Sequence, residues 1–165
     1  MDKCTSCQVL WVGLSAKKAT CDDETPLSKS TNSGAIIHRI EESLDGVSTY
    51  KTNLVKCLPL DDRQKLRYPN RQEIDDCFCN LEEEISTLAP KIVFLLGEKV
   101  YSSVGKRYRL SFNRINGFNY QYVKRDGVYY VPVHHPSYIH VYKRKLVETY
   151  IQSLHDITQQ LLSDE

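Results

Sequence analysis

The chain has 165 residues, 41% of them hydrophobic and 26% charged, with a formal net charge of +1. That composition excludes a disordered segment or a fibre, and the length suits one domain, taken as residues 1–165. No run approaches the roughly 18 apolar residues of a membrane span, and "MDKCTSCQ" offers no apolar core for a signal peptide, so a cytoplasmic protein away from membranes, with reduced cysteines, is expected.

In chain order, "VLWVG" (9–13) reads as a short buried strand ending at a glycine. Ile36, Ile37, Ile40 and Leu44 then fall at helical spacing within "SGAIIHRIEESL" (33–44). "TYKTNLVKCLPL" (49–60) starts as a strand and stops at Pro59. A long helix is expected over 69–90, with Asn70 as its cap, Glu73 at the capping-box position and Pro90 at its end. "KIVFLLGEK" (91–99) is a continuous apolar run of the kind found in central parallel strands, followed by a short helix. "YQYVKRDGVYYVPV" (120–133) predicts a hairpin turning at Asp126-Gly127, and 143–162 a closing amphipathic helix. Alternating strands and helices predict an α/β fold: three layers, α/β/α, around a central, mainly parallel four-stranded sheet. Ligands bind such sheets beyond the carboxyl ends of the strands. Those exits are Gly13 to Lys17, Asn53 to Cys57, Gly97, and His134 to Ser137.

Charge is unevenly spread. Between Gly105 and Lys145 nine Lys/Arg face one acid, Asp126, and seven Tyr and two Phe are interleaved with them. A solvated surface explains a charge run by itself; the aromatic interleaving, with His135 in the same stretch, points to nucleic acid. Cys4 and Cys7 form a C-x2-C pair, Cys57 follows a strand, and Cys77 lies on the long helix. Four thiolates so drawn together would suit zinc or an iron–sulfur cluster; the alternative is a set of buried free cysteines. Cys21 and Cys79 are left out of the ligand set.

Taken in order, Cys4 and Cys7, "VGLSAK" (12–17), "PL" (26–27), "SG" (33–34), "TNLVKC" (52–57), "EIDDC" (73–77), "PKIVFLLG" (90–97) and "HHPS" (134–137) resemble the uracil-DNA glycosylase superfamily, most of all its iron–sulfur class (family 4). Three positions depart from that pattern, one of them Lys17, which stands where the family's first motif ends in glycine. Leu14 stands where the family's first motif carries an acid, and Leu27 where it carries a uracil-stacking Phe.

The resemblance implies cleavage of the N-glycosidic bond of a uracil, or a related deaminated base, flipped out of DNA to leave an abasic site. Asn53 would read the base, its oxygen accepting from N3–H and its nitrogen donating to O4. His135 would stabilise the negative charge growing at O2, with His134 facing away. Gly13, Leu14, Ser15, Ala16 and Leu27 would complete the base pocket. Ser137, Tyr138, Ile139, Tyr142, Lys143 and Arg144 would touch DNA, with Tyr138, Ile139 or Tyr142 entering the minor groove from a loop. Cys4, Cys7, Cys57 and Cys77 would hold a 4Fe-4S cluster or, alternatively, zinc. The protein is expected to act as a monomer on DNA. A catalytically weak or inactive glycosylase fold that binds DNA or protein stands beside the enzyme reading, because no carboxylate is evident to orient water.

Overall fold

The computed structural model describes residues 5–17 and 25–164. Chain order is β1 (Val9–Ser15), α1 (Asn32–Ser43), β2 (Thr49–Val55), α2 (Arg71–Leu88), β3 (Ile92–Leu96), α3 (Glu98–Tyr108), β4 (Val123–Arg125), β5 (Val128–Val133), α4 (Pro136–Tyr142) and α5 (Val147–Ser163), with a 3-10 turn at Arg144–Leu146. The sheet runs β2-β1-β3-β5-β4. Its first four strands are parallel, as expected, and a fifth, β4, adds antiparallel at the edge. The hairpin turns where Asp126 and Gly127 both adopt positive φ, the geometry that favours Asp-Gly between twisted strands.

Period-two alternation sorts each inner strand between two cores. Val9, Trp11, Ile92, Phe94, Tyr129 and Val131 pack with Ile36, Ile37 and Ile40 of α1 and Tyr150, Leu154 and Leu161 of α5. Leu10, Val12, Val93, Leu95 and Tyr130 face the other way, against Phe78 and Leu81 of α2 and Val100 and Val104 of α3. The sheet is thus covered on both faces, which explains why β3 is apolar throughout. Trp11 stacks on Phe94 at a centroid distance of 4.5 Å in the middle of the first core.

Local signals set the ends of the long helix. Asn70 accepts from the Glu73 N–H at 2.9 Å and the Glu73 carboxylate accepts from the Asn70 N–H at 2.8 Å, so the expected capping box is present. Elsewhere boundaries move. β1 runs on to Ser15, paired with Val55, so the loop leaving the sheet starts at Ala16 rather than at Gly13. Residues 136–142 form a helix instead of a loop, with Pro136 at its first turn.

Gly34 has a packing role. A Cβ there would lie 1.9 Å from the Ser28 carbonyl oxygen and 2.3 Å from that of Leu27, so the segment before α1 rests directly on the helix backbone. Thr31 caps α1 by accepting from the Gly34 N–H and donates to the Ser28 carbonyl. Gly34→Ala is therefore expected to cost about 1–3 kcal/mol through overpacking against fixed backbone. A thermal melt checks it, and an unchanged midpoint would contradict the contact.

Candidate functional site

A cleft of about 810 Å³ opens at the carboxyl ends of β1, β2, β3 and β5. It gathers residues from four separate strand exits, among them Gly13, Asn53, Gly97 and His135. Asn53 and His135, far apart in sequence, therefore line one cavity.

β1 and β2 pair Gly13 with Asn53, so both point to the same face of the sheet. A Cβ on Gly13 would stand 2.6 Å from the Asn53 Oδ1. The amide thus lies over the glycine, in space that any side chain would contest. Thr52, on the opposite face, donates to both oxygens of Glu84 on α2, and Lys56 reaches Glu84 Oε2 at 2.6 Å. Three residues of "TNLVK" are thereby divided: Thr52 and Lys56 lock the strand end to α2, and Asn53, 92% buried, is presented to the cleft.

His135 closes the other wall. Its Nδ1 accepts from the Ser137 N–H at 3.1 Å and lies 2.8 Å from Ser137 Oγ, so the ring caps α4. With Nδ1 serving as acceptor, the proton of the neutral ring sits on Nε2. Burial, and after it the charge of Lys17, pushes its pKa down to about 4. His134 turns away as expected. Its Nδ1 pairs with the Tyr120 hydroxyl at 2.8 Å, its carbonyl accepts from the Tyr150 hydroxyl, and its ring stacks on Tyr138.

Leu14, Ser15, Ala16 and Leu27 all line the cleft. Leu27 holds a left-handed backbone, φ 53°, and presses its side chain on the α1-side core. Ser137, Tyr138 and Tyr142 also line the cleft, while Lys143 and Arg144 are exposed just beyond α4. Ile139 is a correction: it is fully buried in the core and cannot reach DNA, because α4 turns it inward. Sequence reasoning missed the second wall of the cleft, Leu66, Arg67 and Tyr68, and also Lys99 and Val141. It missed Glu98 too, which is the acid among the described lining residues and sits one residue past the β3 exit.

Of the four predicted ligands, the three described, Cys7, Cys57 and Cys77, do not come together. Cys57 and Cys77 are neighbours, and burial first, then Cys77, raises the Cys57 thiol pKa. Cys7 is elsewhere: its N–H donates to the Leu88 carbonyl at the far end of α2. At about 1.5 Å per residue, the 11 residues from Cys77 to Leu88 put it roughly 16 Å away. Cys57 lies past the carboxyl end of β2, whereas Cys7 precedes the amino end of its parallel neighbour β1. Cys4 falls outside the described residues, and among those described no three His, Cys, Asp or Glu side chains converge to hold a metal. A cluster or zinc on Cys4, Cys7, Cys57 and Cys77 does not fit this arrangement.

Comparison with known proteins supplies a frame for this geometry. The family model described as "Uracil DNA glycosylase superfamily" matches residues 9–157. A "Type-4 uracil-DNA glycosylase" of Sulfurisphaera tokodaii is 28% identical over 99 residues, covering 57% of this chain and 43% of that protein. The chain thus matches less than half the length of that curated relative. The crystal structure of wild-type SMUG2 from Pedobacter heparinus superposes with a TM-score of 0.63 over 96% of this chain and 77% of that chain, at 14% identity, which is a likeness of fold.

The cysteine geometry has a direct test. Metal analysis of protein purified without air is expected to find iron and zinc well below one atom per chain. About four irons per chain, with the visible absorbance of a cluster, would overturn the placement of Cys7.

Proposed function

Because the chain belongs to the uracil DNA glycosylase superfamily, we propose that its cleft hydrolyses the N-glycosidic bond of a flipped-out uracil, or a related deaminated base, in DNA. The observation that carries this reading is the meeting, in one cavity, of Asn53 and a His135 ring whose Nδ1 accepts from the Ser137 N–H.

The Asn53 amide offers an acceptor for N3–H beside a donor for O4. Cytosine presents no N3–H and an amino donor at position 4, so an amide held with its oxygen toward N3 selects against it. As the glycosidic bond lengthens, charge accumulates on O2. A neutral Nε2–H placed beforehand strengthens its hydrogen bond at that moment, without bringing a full positive charge into the resting cleft. Leu27 supplies apolar contact where the family has an aromatic face. Glu98, on the first turn of α3, is the carboxylate among the described cleft residues and would hold the attacking water. Product is the free base and an abasic site.

Incubation of the protein with labelled uracil-containing DNA, followed by alkali, tests the reading. Strand scission at uracil is expected, and intact DNA with folded protein would remove the enzyme and leave a binding module. His135→Ala removes both donor and helix cap, so His135→Asn is the informative partner, since asparagine is a strong capping residue. Both variants should lose about 100- to 1,000-fold in kcat, the usual worth of one preorganised donor. A His135→Asn enzyme with full activity would contradict the assigned role.

Acidity gives a second check. The folded pKa of His135, about 4, lies below the ordinary 6.5, so the ring stays neutral as pH falls through 6.5. Base release should hold level from neutrality to about pH 5 and decline only near pH 4, whereas a midpoint near 6.5 would refute it. Between those two pKa values the unfolded chain binds the proton and the native one does not, so stability decreases as pH is lowered through that window. Far-UV circular dichroism at each pH separates the two effects.

A further inference from the structure

The second wall of the cleft hangs between two cysteines. Leu66, Arg67 and Tyr68 line the cleft from this segment; Cys57 precedes it and is exposed, and Cys77 follows it on α2, partly buried. The topology brings both to one rim. α2 leads from the carboxyl end of β2 to the amino end of β3, and these strands are both parallel to β1, so the helix runs back against β2. Thr52 touches Glu84 where the two elements cross. From that contact, five residues forward cover about 16 Å along the strand direction and seven residues back about 10 Å along the helix, toward the same end. Cys77 shares the Glu84 face of α2, two turns away. Its thiol stands close enough to Cys57 to add to the rise that burial imposes on the Cys57 pKa.

The wall between them has no regular structure. Asp61 Oδ1 accepts from the N–H groups of Arg63 and Lys65, and Leu60 bridges to Leu66. Arg67 makes a two-pronged pair with Glu73, at 2.8 and 2.7 Å, and also donates to the carbonyls of Leu60 and Tyr68. The Arg67 guanidinium and the Asn70 N–H hold the Glu73 carboxyl at about 2, so this clasp is charged under any ordinary condition. The charged and titratable groups facing Cys57 are therefore Cys77 and Glu73 from α2 and Arg67 from the wall itself.

An exposed thiol backed by a second, less accessible one is the arrangement that turns a mixed disulfide into an internal one. The other described cysteines are not placed for it. Cys7 lies at the opposite end of α2, and Cys79, two positions past Cys77 and so on another side of the helix, directs its Sγ to the Asp76 carbonyl.

We propose that Cys57 and Cys77 are a reversible disulfide site that closes the second wall of the cleft into a ring. The Cys57 thiolate attacks one sulfur of a small-molecule disulfide, that S–S bond breaks, and one small thiol leaves. The Cys77 thiolate then attacks the Cys57 sulfur and expels the second. Two protein thiols are oxidised, one small disulfide is reduced to two thiols, and the two protons pass from the protein to the departing thiolates. The test is to incubate the reduced protein with oxidised glutathione, alkylate it, digest it and map the peptides by mass spectrometry. The cross-linked Cys57–Cys77 peptide pair should form, and excess small dithiol should return both thiols. Cys77→Ala should leave Cys57 carrying glutathione, Cys57→Ser should give no cross-link, and Cys79→Ser should form it as wild type does; melting curves verify that each variant is folded. Formation should quicken roughly tenfold per pH unit between about pH 6 and 8, because the thiolate fraction rises so below a raised pKa. Trypsin should cut after Arg63 and Lys65, both exposed, more slowly in the oxidised protein. Wild-type chains in which Cys57 and Cys77 each carry glutathione, in which Cys57 is bonded elsewhere, or in which both resist alkylation and oxidation alike would overturn the proposal. None of these readouts involves release of a base, so the glycosylase reading is untouched by either result.

Discussion

The cleft depends on the register between β1 and β2. That pairing sets Gly13 opposite Asn53, and the missing side chain at 13 is the space in which the Asn53 amide lies. A slip of one residue would turn the amide to the α2 face and send Thr52 toward the cleft. The hold of Thr52 and Lys56 on Glu84 guards against such a slip from the opposite side of the sheet. The cleft and the anchor on α2 thus draw on alternate residues of one strand. His135 is brought to the same rim by the parallel pairing of β3 with β5, and at Gly97, φ 94°, a Cβ would come within 3.4 Å of the His135 Cβ.

Features governed by neighbouring residues were legible in the sequence. The Asn70–Glu73 capping box, the apolar run of β3 and the Asp-Gly turn each rest on interactions within a few positions. Asn53 and His135 were legible too, through the order of their motifs, and the register explains why those motifs meet. What stayed hidden is what periodicity does not encode. The wall at residues 57–70 is built from an aspartate turn, one isolated bridge and an arginine clasp, so it offers neither a 2.0 nor a 3.6 repeat. Residues 136–142 looked like a loop because Pro136 and the tyrosines suggest one, yet the His135 ring caps them into a helix, and that helix takes Ile139 inward.

The cysteines illustrate a different limit. Spacing such as C-x2-C states which thiols are near each other along the chain, and is silent on which end of a strand they occupy. Only one residue separates Cys7 from β1, and β1 and β2 each run for seven residues to the rim where Cys57 lies. The corner around Cys57 and Cys77 is held instead by Arg67 and Glu73, an ion pair between neighbours in the fold. Leu14 and Leu27 belong to the same pattern of departure. They make this cleft more apolar than the family motifs imply, while Glu98 brings an acid to it from a different strand exit.

One ring both anchors α4 and faces the pocket, and this joins two properties that evolution commonly adjusts apart. A lineage drifting away from histidine at 135 would give up the imidazole and loosen the Tyr138–Tyr142 wall in the same step, unless its replacement also offered an acceptor to the Ser137 amide. Asparagine, aspartate, serine and threonine meet that condition. The sequence space open to relatives of altered chemistry is therefore narrow at this position, and short polar side chains are the ones that would keep the wall standing.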